Sequence, residues 1–382
     1  MRFLTAGESH GPKLIGIIEG LPSGVHISQE TIDESLRRRQ QGPGRGGRMA
    51  IEQDAAVILS GVRGGLTTGA PLALEIENRD WANWREVMAV GAGADLASRR
   101  VTAPRPGHAD LTGSLKYRTE VRNILERASA RETAMRVAVG NVARQLLIAL
   151  GVEVRGRVLQ VGRVQAQLRD DDKYWQRVRG SAWSVGDAEA EAEMGRQLED
   201  ARREGESLGG IMEVQALNFP AGLGSHVQWD RKLDGRIAQA VLSVQAIKGV
   251  EFGLGFEAGR RPGSLVHDPI LYEEGRGFRR GSNRAGGIEG GMSNGEPILL
   301  RAVMKPIPTL YKPLPTVDLE TKEAVKASVE RSDVCAVPAA LVVLEHVLAW
   351  TLAEAVLEKF PSDSFSELQK SWQEYSRYLE SQ

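Results

Sequence analysis

Two histidines and a dense set of arginines carry most of the chemistry this sequence can offer. Gly7-Glu8-Ser9-His10-Gly11 sets one imidazole among small residues, and Arg105-Pro106-Gly107-His108-Ala109-Asp110 sets a second on a proline-glycine turn. An imidazole changes charge near neutral pH, so each can act as an acid, a base or a switchable cation. Arg37-Arg38-Arg39 is followed by Gly42-Pro43-Gly44-Arg45-Gly46-Gly47-Arg48. Arginines displayed from a glycine-rich loop can grip carboxylates and phosphates through paired hydrogen bonds. Acid–base groups beside such a loop point to an enzyme acting on a small polyanion.

Further segments add to this set, each with a plainer reading beside it. In Glu126-Arg127-Ala128-Ser129-Ala130-Arg131-Glu132-Thr133, backbone and hydroxyl groups could approach a planar ligand while Arg131 reaches an anion. The same residues would also suit a closely packed helix start with exposed ion pairs. Arg331-Ser332-Asp333 precedes an apolar helix running to Glu354, where Ser332 or Asp333 would serve as an ordinary cap. The glycine-rich run from Gly286 to Gly295 can bring main-chain N–H groups close to a ligand. Residues 42–47 and 253–258 match the glycine spacing of dinucleotide folds, but neither lies between a buried strand and a long helix, so no such site is expected. The sequence has no Gly-Lys-Ser/Thr phosphate loop and no histidine pair at metal-binding helical spacing. Its single cysteine, Cys335, excludes an internal disulfide framework and a cysteine-rich zinc site.

The elements that must position these groups are legible in outline. Lys13 to Glu19 reads as a strand, residues 20–24 as a turn, and Ser28 as the cap of a helix through Arg39 that delivers the arginines to the glycine loop. A single long helix is predicted from Ile124 to Leu150, ending at Gly151. Strand-like alternation covers Val152 to Val164, and an apolar strand covers Pro297 to Met304. An acidic helix around Ala188 to Arg203 has little apolar surface and is expected to face solvent. Phe219-Pro220-Ala221-Gly222-Leu223 echoes Gly20-Leu21-Pro22-Ser23-Gly24-Val25, each before a helical pattern, so an internal duplication is a working hypothesis.

With 382 residues, 41% of them hydrophobic, and a net charge of −1, the chain can bury a substantial core. No Pro- or Ser-rich linker divides it. A single domain over residues 1–382 is expected, with a peripheral segment at about 170–206 and a polar tail after about 361. No stretch approaches the roughly 18 uninterrupted apolar residues of a membrane span, and Glu8 and His10 interrupt any signal-peptide core. A cytoplasmic location with no membrane partner is expected. Near-neutral charge argues against a dedicated nucleic-acid binder, although basic residues dominate from Arg99 to Arg144.

Taken in order, Gly-Glu-Ser-His-Gly, the arginine-glycine loop, Glu-Arg-Ala-Ser-Ala-Arg-Glu-Thr, Lys305-Pro306-Ile307-Pro308-Thr309 and Arg-Ser-Asp resemble the chorismate synthase family, and the likeness spans Thr5 to about Glu354. It implies an α+β fold, a β-α-β sandwich of antiparallel sheets around helices, assembled as a homotetramer. It also implies a carbon–oxygen lyase of the shikimate pathway to aromatic amino acids, which converts 5-enolpyruvylshikimate 3-phosphate to chorismate and phosphate. That reaction is a 1,4-elimination requiring reduced FMN without net redox change. By this likeness Arg39, Arg45, Arg48, Arg131 and Arg331 would meet the substrate's anionic groups, while Arg37 and Arg38 are read as exposed helix residues. Arg127, Ala128, Ser129, Gln245, Ala246, Gly290, Lys305, Pro306, Ile307, Pro308, Thr309 and Arg331 would bind the flavin, and Arg39 and Arg45 would contact NADPH. His10 would protonate the departing phosphate and His108 would stabilise the reduced flavin. Asp333, with a relay through Ser9 or Ser129, would polarise the flavin where the ring proton is received. No metal is implied, and with no added domain for a built-in reductase, an external flavin reductase is expected. Two other classes remain on the residues alone: a flavin reductase, which would consume NADPH continuously, and a nucleic-acid binder, for which the Arg99 to Arg144 stretch has few aromatics.

Overall fold

The computed structural model describes residues 1–382 apart from 47–50, 276 and 331. Arg48 and Arg331 therefore lie outside the described residues. Near the N-terminus, strands β1 (Arg2–Ala6), β2 (Lys13–Glu19), β3 (Ala56–Ser60) and β4 (Leu72–Glu77) form an antiparallel sheet in the order β1-β2-β4-β3. A second antiparallel sheet contains β5 (Glu153–Val161), β6 (Val164–Gln165), β7 (Gly210–Leu217), β8 (Ile247–Phe252) and β9 (Ile298–Met304), in the order β8-β9-β7-β5-β6. The short β6 aside, the sheets share one order: first, second, fourth, third strand.

The helices repeat the same plan. Helix α1 (Gln29–Gln40) follows the second strand of the first sheet through the turn at 20–24, capped by the Ser28 hydroxyl, which accepts from the Thr31 N–H. Its counterpart α7 (Leu233–Leu242) follows β7 through residues 219–223, and Gly24 and Gly222 share a positive φ of 85° and 84°. The echo in the sequence thus corresponds to a repeated topology. Each half then closes with a long helix, α4 (Glu132–Ala149) in the first and α8 (Val337–Lys359) in the second. These two helices pack on each other between the sheets, giving an α+β sandwich. At their crossing Gly140 lies against the main chain of His346, where a Cβ would fall 2.5 Å from the carbonyl oxygen, so any larger residue would force the helices apart.

Three sequence expectations change. The predicted helix from Ile124 to Leu150 is two helices, α3 (Val121–Ala128) and α4, separated at Ser129, whose backbone is extended. The Ser129 hydroxyl accepts from the Arg131 N–H, a local bond that competes with helix continuation. The acidic helix α6 (Ala188–Glu204) is not a solvent-facing rod: Ala190, Met194, Leu198 and Ala201 are buried in the main core. Its apolar residues are few but recur at three- and four-residue spacing, enough for one packed stripe. Helix α8 starts at Val337 with Pro338 in its first turn and no side-chain cap, so Ser332 and Asp333 are not its caps. By length and hydropathy α8 could cross a membrane, but 94% of its most apolar window is buried inside the protein, as a core helix between two sheets requires.

Candidate active site

A cavity of about 900 Å³ opens where the loop ends of both halves meet. Its wall includes Ser9 and His10 after β1, Arg39 and Arg45 at the end of α1 and beyond, and His108. Ala128 to Arg131 at the helix break, Gln245 and Ala246 before β8, Lys305 and Ile307 to Thr309 after β9, and Asp333 before α8 also line it. Seven separate sequence segments therefore converge on one space. Seven arginine and lysine side chains line it against three carboxylates among the described residues, a balance suited to a polyanion.

Each histidine rests on a buried carboxylate. His10 Nδ1 lies 2.8 Å and 3.0 Å from the two Glu126 oxygens, and the His10 main-chain N–H donates to Glu126 Oε2 at 2.8 Å. Burial alone would raise the Glu126 carboxyl, but the His10 hydrogen bonds and the charge of Arg122 hold it below its usual range, ionised. An ionised carboxylate only accepts, so the proton stays on Nδ1 and Nε2 is left for the cavity. His108 Nδ1 likewise meets a carboxylate, Asp110, but Arg105 Nη2 also lies 3.1 Å from the same nitrogen, and Asp110 receives Arg105 Nε at 2.9 Å. Burial opposes ionisation of Asp110, yet the bonds from His108 and Arg105 push it far below the carboxylate range. Arg105 Nη1 reaches Thr309 Oγ1 at 2.9 Å, and Lys305 Nζ donates to the Gly107 carbonyl, so the 105–110 turn and the 305–309 segment are locked together.

The glycine loop is fastened to Asp333. Arg45 Nη1 and the Gly46 N–H each reach a different Asp333 oxygen at 2.6 Å, and the Gly44 carbonyl accepts from the Val334 N–H at 2.8 Å. Gly44 has φ +86° and its Cβ position is 2.8 Å from the Cys335 side chain, so only glycine allows this seating. Ser9 Oγ donates to Ser129 Oγ at 3.0 Å, joining the two predicted relay hydroxyls. Arg39 and Arg131 reach the wall but are deeply buried and share Asp54: Arg39 Nη1 lies 3.2 Å from Oδ2 and Arg131 Nη1 2.5 Å from Oδ1. Burial, with Arg45 and Arg131 nearby, pulls the Arg39 guanidinium down to about 10 despite Asp54.

Some expected residues stand elsewhere. Arg127 is turned away from the cavity wall and holds the Thr5 and Gly7 carbonyls, bracing the Gly-Glu-Ser-His-Gly loop from behind. Gly290 lies in a separate hairpin turn, and Pro306 is off the wall although its neighbours are on it. Arg37 is exposed as expected, but Arg38 is not a free surface residue: its two terminal nitrogens meet the buried Glu345 carboxylate at 2.9 Å and 3.2 Å. Helical phase alone could not reveal an acid on α8.

Glu126 and Asp110 lay inside segments that the sequence singled out, yet neither was assigned to its histidine. For Asp110 the i, i+2 spacing from His108 was the available signal; for Glu126 and His10, 116 residues apart, there was none. Trp84, Arg99, Arg105 and Arg122 also line the cavity without having been anticipated.

The sequence profile of the chorismate synthase family matches residues 1–357. The chain belongs to the chorismate synthase family. It is 69% identical over 382 residues to the chorismate synthase of Desulfitobacterium hafniense (strain DSM 10664 / DCB-2), covering all of both chains. It is 56% identical to that of Desulforamulus reducens (strain ATCC BAA-1160 / DSM 100696 / MI-1), covering 99% of this chain and all of the relative. A crystal structure of chorismate synthase superposes with a TM-score of 0.81 at 43% identity, covering 100% of this chain and 98% of the other. The fold is thus that of the chorismate synthase family.

Proposed function

We propose that this protein converts 5-enolpyruvylshikimate 3-phosphate to chorismate and inorganic phosphate, using reduced FMN. The observation that carries the reading is the pair of histidines, each held at Nδ1 by a buried carboxylate, on one wall of a cation-rich cavity. The substrate's two carboxylates and its phosphate match the excess of lysine and arginine there. The residues present also fit the flavin. Gln245 Oε1 is buried without a hydrogen-bond partner at the cavity wall, ready to accept an N–H, and Lys305 offers a cation for a phosphate. Ala128, Ser129, Gln245, Ala246, Lys305 and Ile307 to Thr309 would hold FMN, and its reduced ring would supply electron density that eases departure of the allylic phosphate.

The chain's own groups supply the rest. His10, with Glu126 accepting from Nδ1, donates a proton from Nε2 to the leaving phosphate; the carboxylate stabilises the imidazolium that does so. His108, held by Asp110, would stabilise the reduced cofactor. The allylic C–O bond breaks with its electron pair going to phosphate, and a ring C–H proton leaves as the new double bond forms. Asp333 and the Ser9–Ser129 hydroxyl pair are the wall groups able to move that proton. Arg39 and Arg131, fixed on Asp54, present a rigid positive floor. An external reductase as the source of reduced flavin, and assembly as a homotetramer, belong to the same reading.

Anaerobic turnover with pre-reduced FMN tests it. Chorismate and phosphate should appear in equal amounts with no continuing NADPH consumption, and FMN and substrate should tighten each other's binding by the same factor. Steady NADPH oxidation without phosphate release would instead identify a flavin reductase.

A further inference from the structure

His10 is held by more than Glu126. The Trp84 indole stacks on the imidazole with ring centroids 3.8 Å apart and planes 21° from parallel. The Arg99 guanidinium carbon lies 4.0 Å from the centroid of the same indole. Two groups that close to one ring cannot share a face without colliding, so Arg99 covers the side opposite His10. The indole itself is anchored, its Nε1 donating to buried Asp80 at 3.3 Å. Arg99 adopts a left-handed backbone conformation, φ +57°, which non-glycine residues seldom enter. That conformation is gripped by Arg122, which donates twice to the Arg99 carbonyl at 3.0 Å and 2.7 Å and lies 3.5 Å from Glu126. The two restraints on His10, its carboxylate and its stacked indole, are therefore braced by one arginine.

We propose that Trp84 is a positioning residue for proton transfer, and that the Arg99–Trp84–His10 stack fixes the plane of the His10 imidazole while Glu126 fixes its edge. One hydrogen-bonded edge leaves a ring free to rock about that bond; a parallel indole removes this freedom and keeps Nε2 aimed at one point in the cavity. Misplacing a reacting group by about 1 Å can cost on the order of 100-fold in rate, so loss of the stack should appear in kcat. This inference rests on the reading of His10 as the acid.

The test is a double-mutant cycle with pre-reduced FMN. Trp84→Met should lower kcat on the order of 10- to 100-fold while changing KM and FMN affinity less than about 3-fold, and Trp84→Phe, which keeps an aromatic face, should recover most of the loss. In a His10→Ala background Trp84→Met should cost nothing further, because its effect passes through the imidazole. Equal effects of Met in both backgrounds, or a Phe variant as slow as Met, would overturn the proposal. If His10→Ala alone leaves the rate unchanged, the acid assignment fails whatever Trp84 does. Should Trp84→Met not fold, Arg99→Met removes the outer layer of the stack instead. A several-fold kcat loss there, absent in the His10→Ala background, supports the proposal, and an unchanged kcat rejects it.

Discussion

Replacing Arg38 with alanine should destabilise the protein far more than an exposed helix arginine would. The Arg38 guanidinium bonds both oxygens of Glu345, whose side chain is only 2% exposed, while the Arg38 side chain is 36% exposed. Breaking a buried ion pair by removing one partner costs about 3–5 kcal/mol, and water entering from the exposed side of Arg38 reduces this to an expected ~2–3 kcal/mol. The pH dependence gives a second signature. In the wild type burial pushes the Glu345 carboxyl up, but the charge and hydrogen bonds of Arg38 more than offset it, so it sits below its usual range. The associated stability is therefore present above the ordinary carboxylate range and is lost as pH falls through the lowered value. In Arg38→Ala the burial effect prevails, and protonation on acidification relieves the penalty. Urea unfolding should thus find a gap between the two proteins that is widest near neutral pH and shrinks towards about pH 4.5. A gap below about 0.5 kcal/mol at neutral pH, or one that widens on acidification, would refute the reasoning.

The comparison for an anion-gripping loop arginine is accordingly Arg37, not Arg38: Arg45→Ala should weaken substrate binding by about 1.5–3 kcal/mol, and Arg37→Ala by less than about 0.5, in calorimetric titrations. His346 is wholly buried, and burial with the nearby Arg144 charge pulls its imidazole down to about 3. Because only the unfolded chain protonates it between its ordinary value and 3, it contributes stability that is lost as pH falls. His346→Gln should then lose about 2 kcal/mol less than wild type between about pH 6.5 and 5, with turnover unchanged in folded protein; identical slopes would reject this. Burial pushes the Cys335 thiol up to about 11, so a disulfide reagent at about pH 8 should react with it only after denaturation. Rapid reaction of the folded protein would contradict its burial.

Local signals survived folding best. The strand at Lys13–Glu19 and the Ser28 cap appear where the apolar run and capping chemistry put them, because both depend on neighbours in the chain. The helix break at Ser129 did not follow from periodicity, since residues 126–133 hold no large apolar side chain to mark the helical phase, and there the Ser129 hydroxyl accepts from the Arg131 N–H. Most of the expected site residues line one cavity, but their partners came from elsewhere in the chain, Glu126 under His10 and Asp54 between Arg39 and Arg131; outside the site, Glu345 lies beneath Arg38 in the same way. Such pairs join segments far apart in the chain, within the first half for His10 and for Arg39 with Arg131 and across both halves for Arg38, and no residue spacing encodes them. The repeat of strand–turn–helix at 20–24 and 219–223 was visible only faintly in sequence because a turn needs few specified residues, whereas the shared strand order makes it plain.

The proposed reaction depends on two carboxylate-backed histidines performing distinct tasks in one cavity. Single-turnover formation of chorismate with pre-reduced FMN, measured on folded His10→Ala and His108→Ala proteins alongside the reduced-flavin spectrum, tests it most directly. Both variants should be slowed by about 10²–10⁴-fold, with FMN affinity kept in His10→Ala and the reduced-flavin spectrum altered only in His108→Ala. Near wild-type rates in both would contradict the acid–base assignment, even with family membership intact.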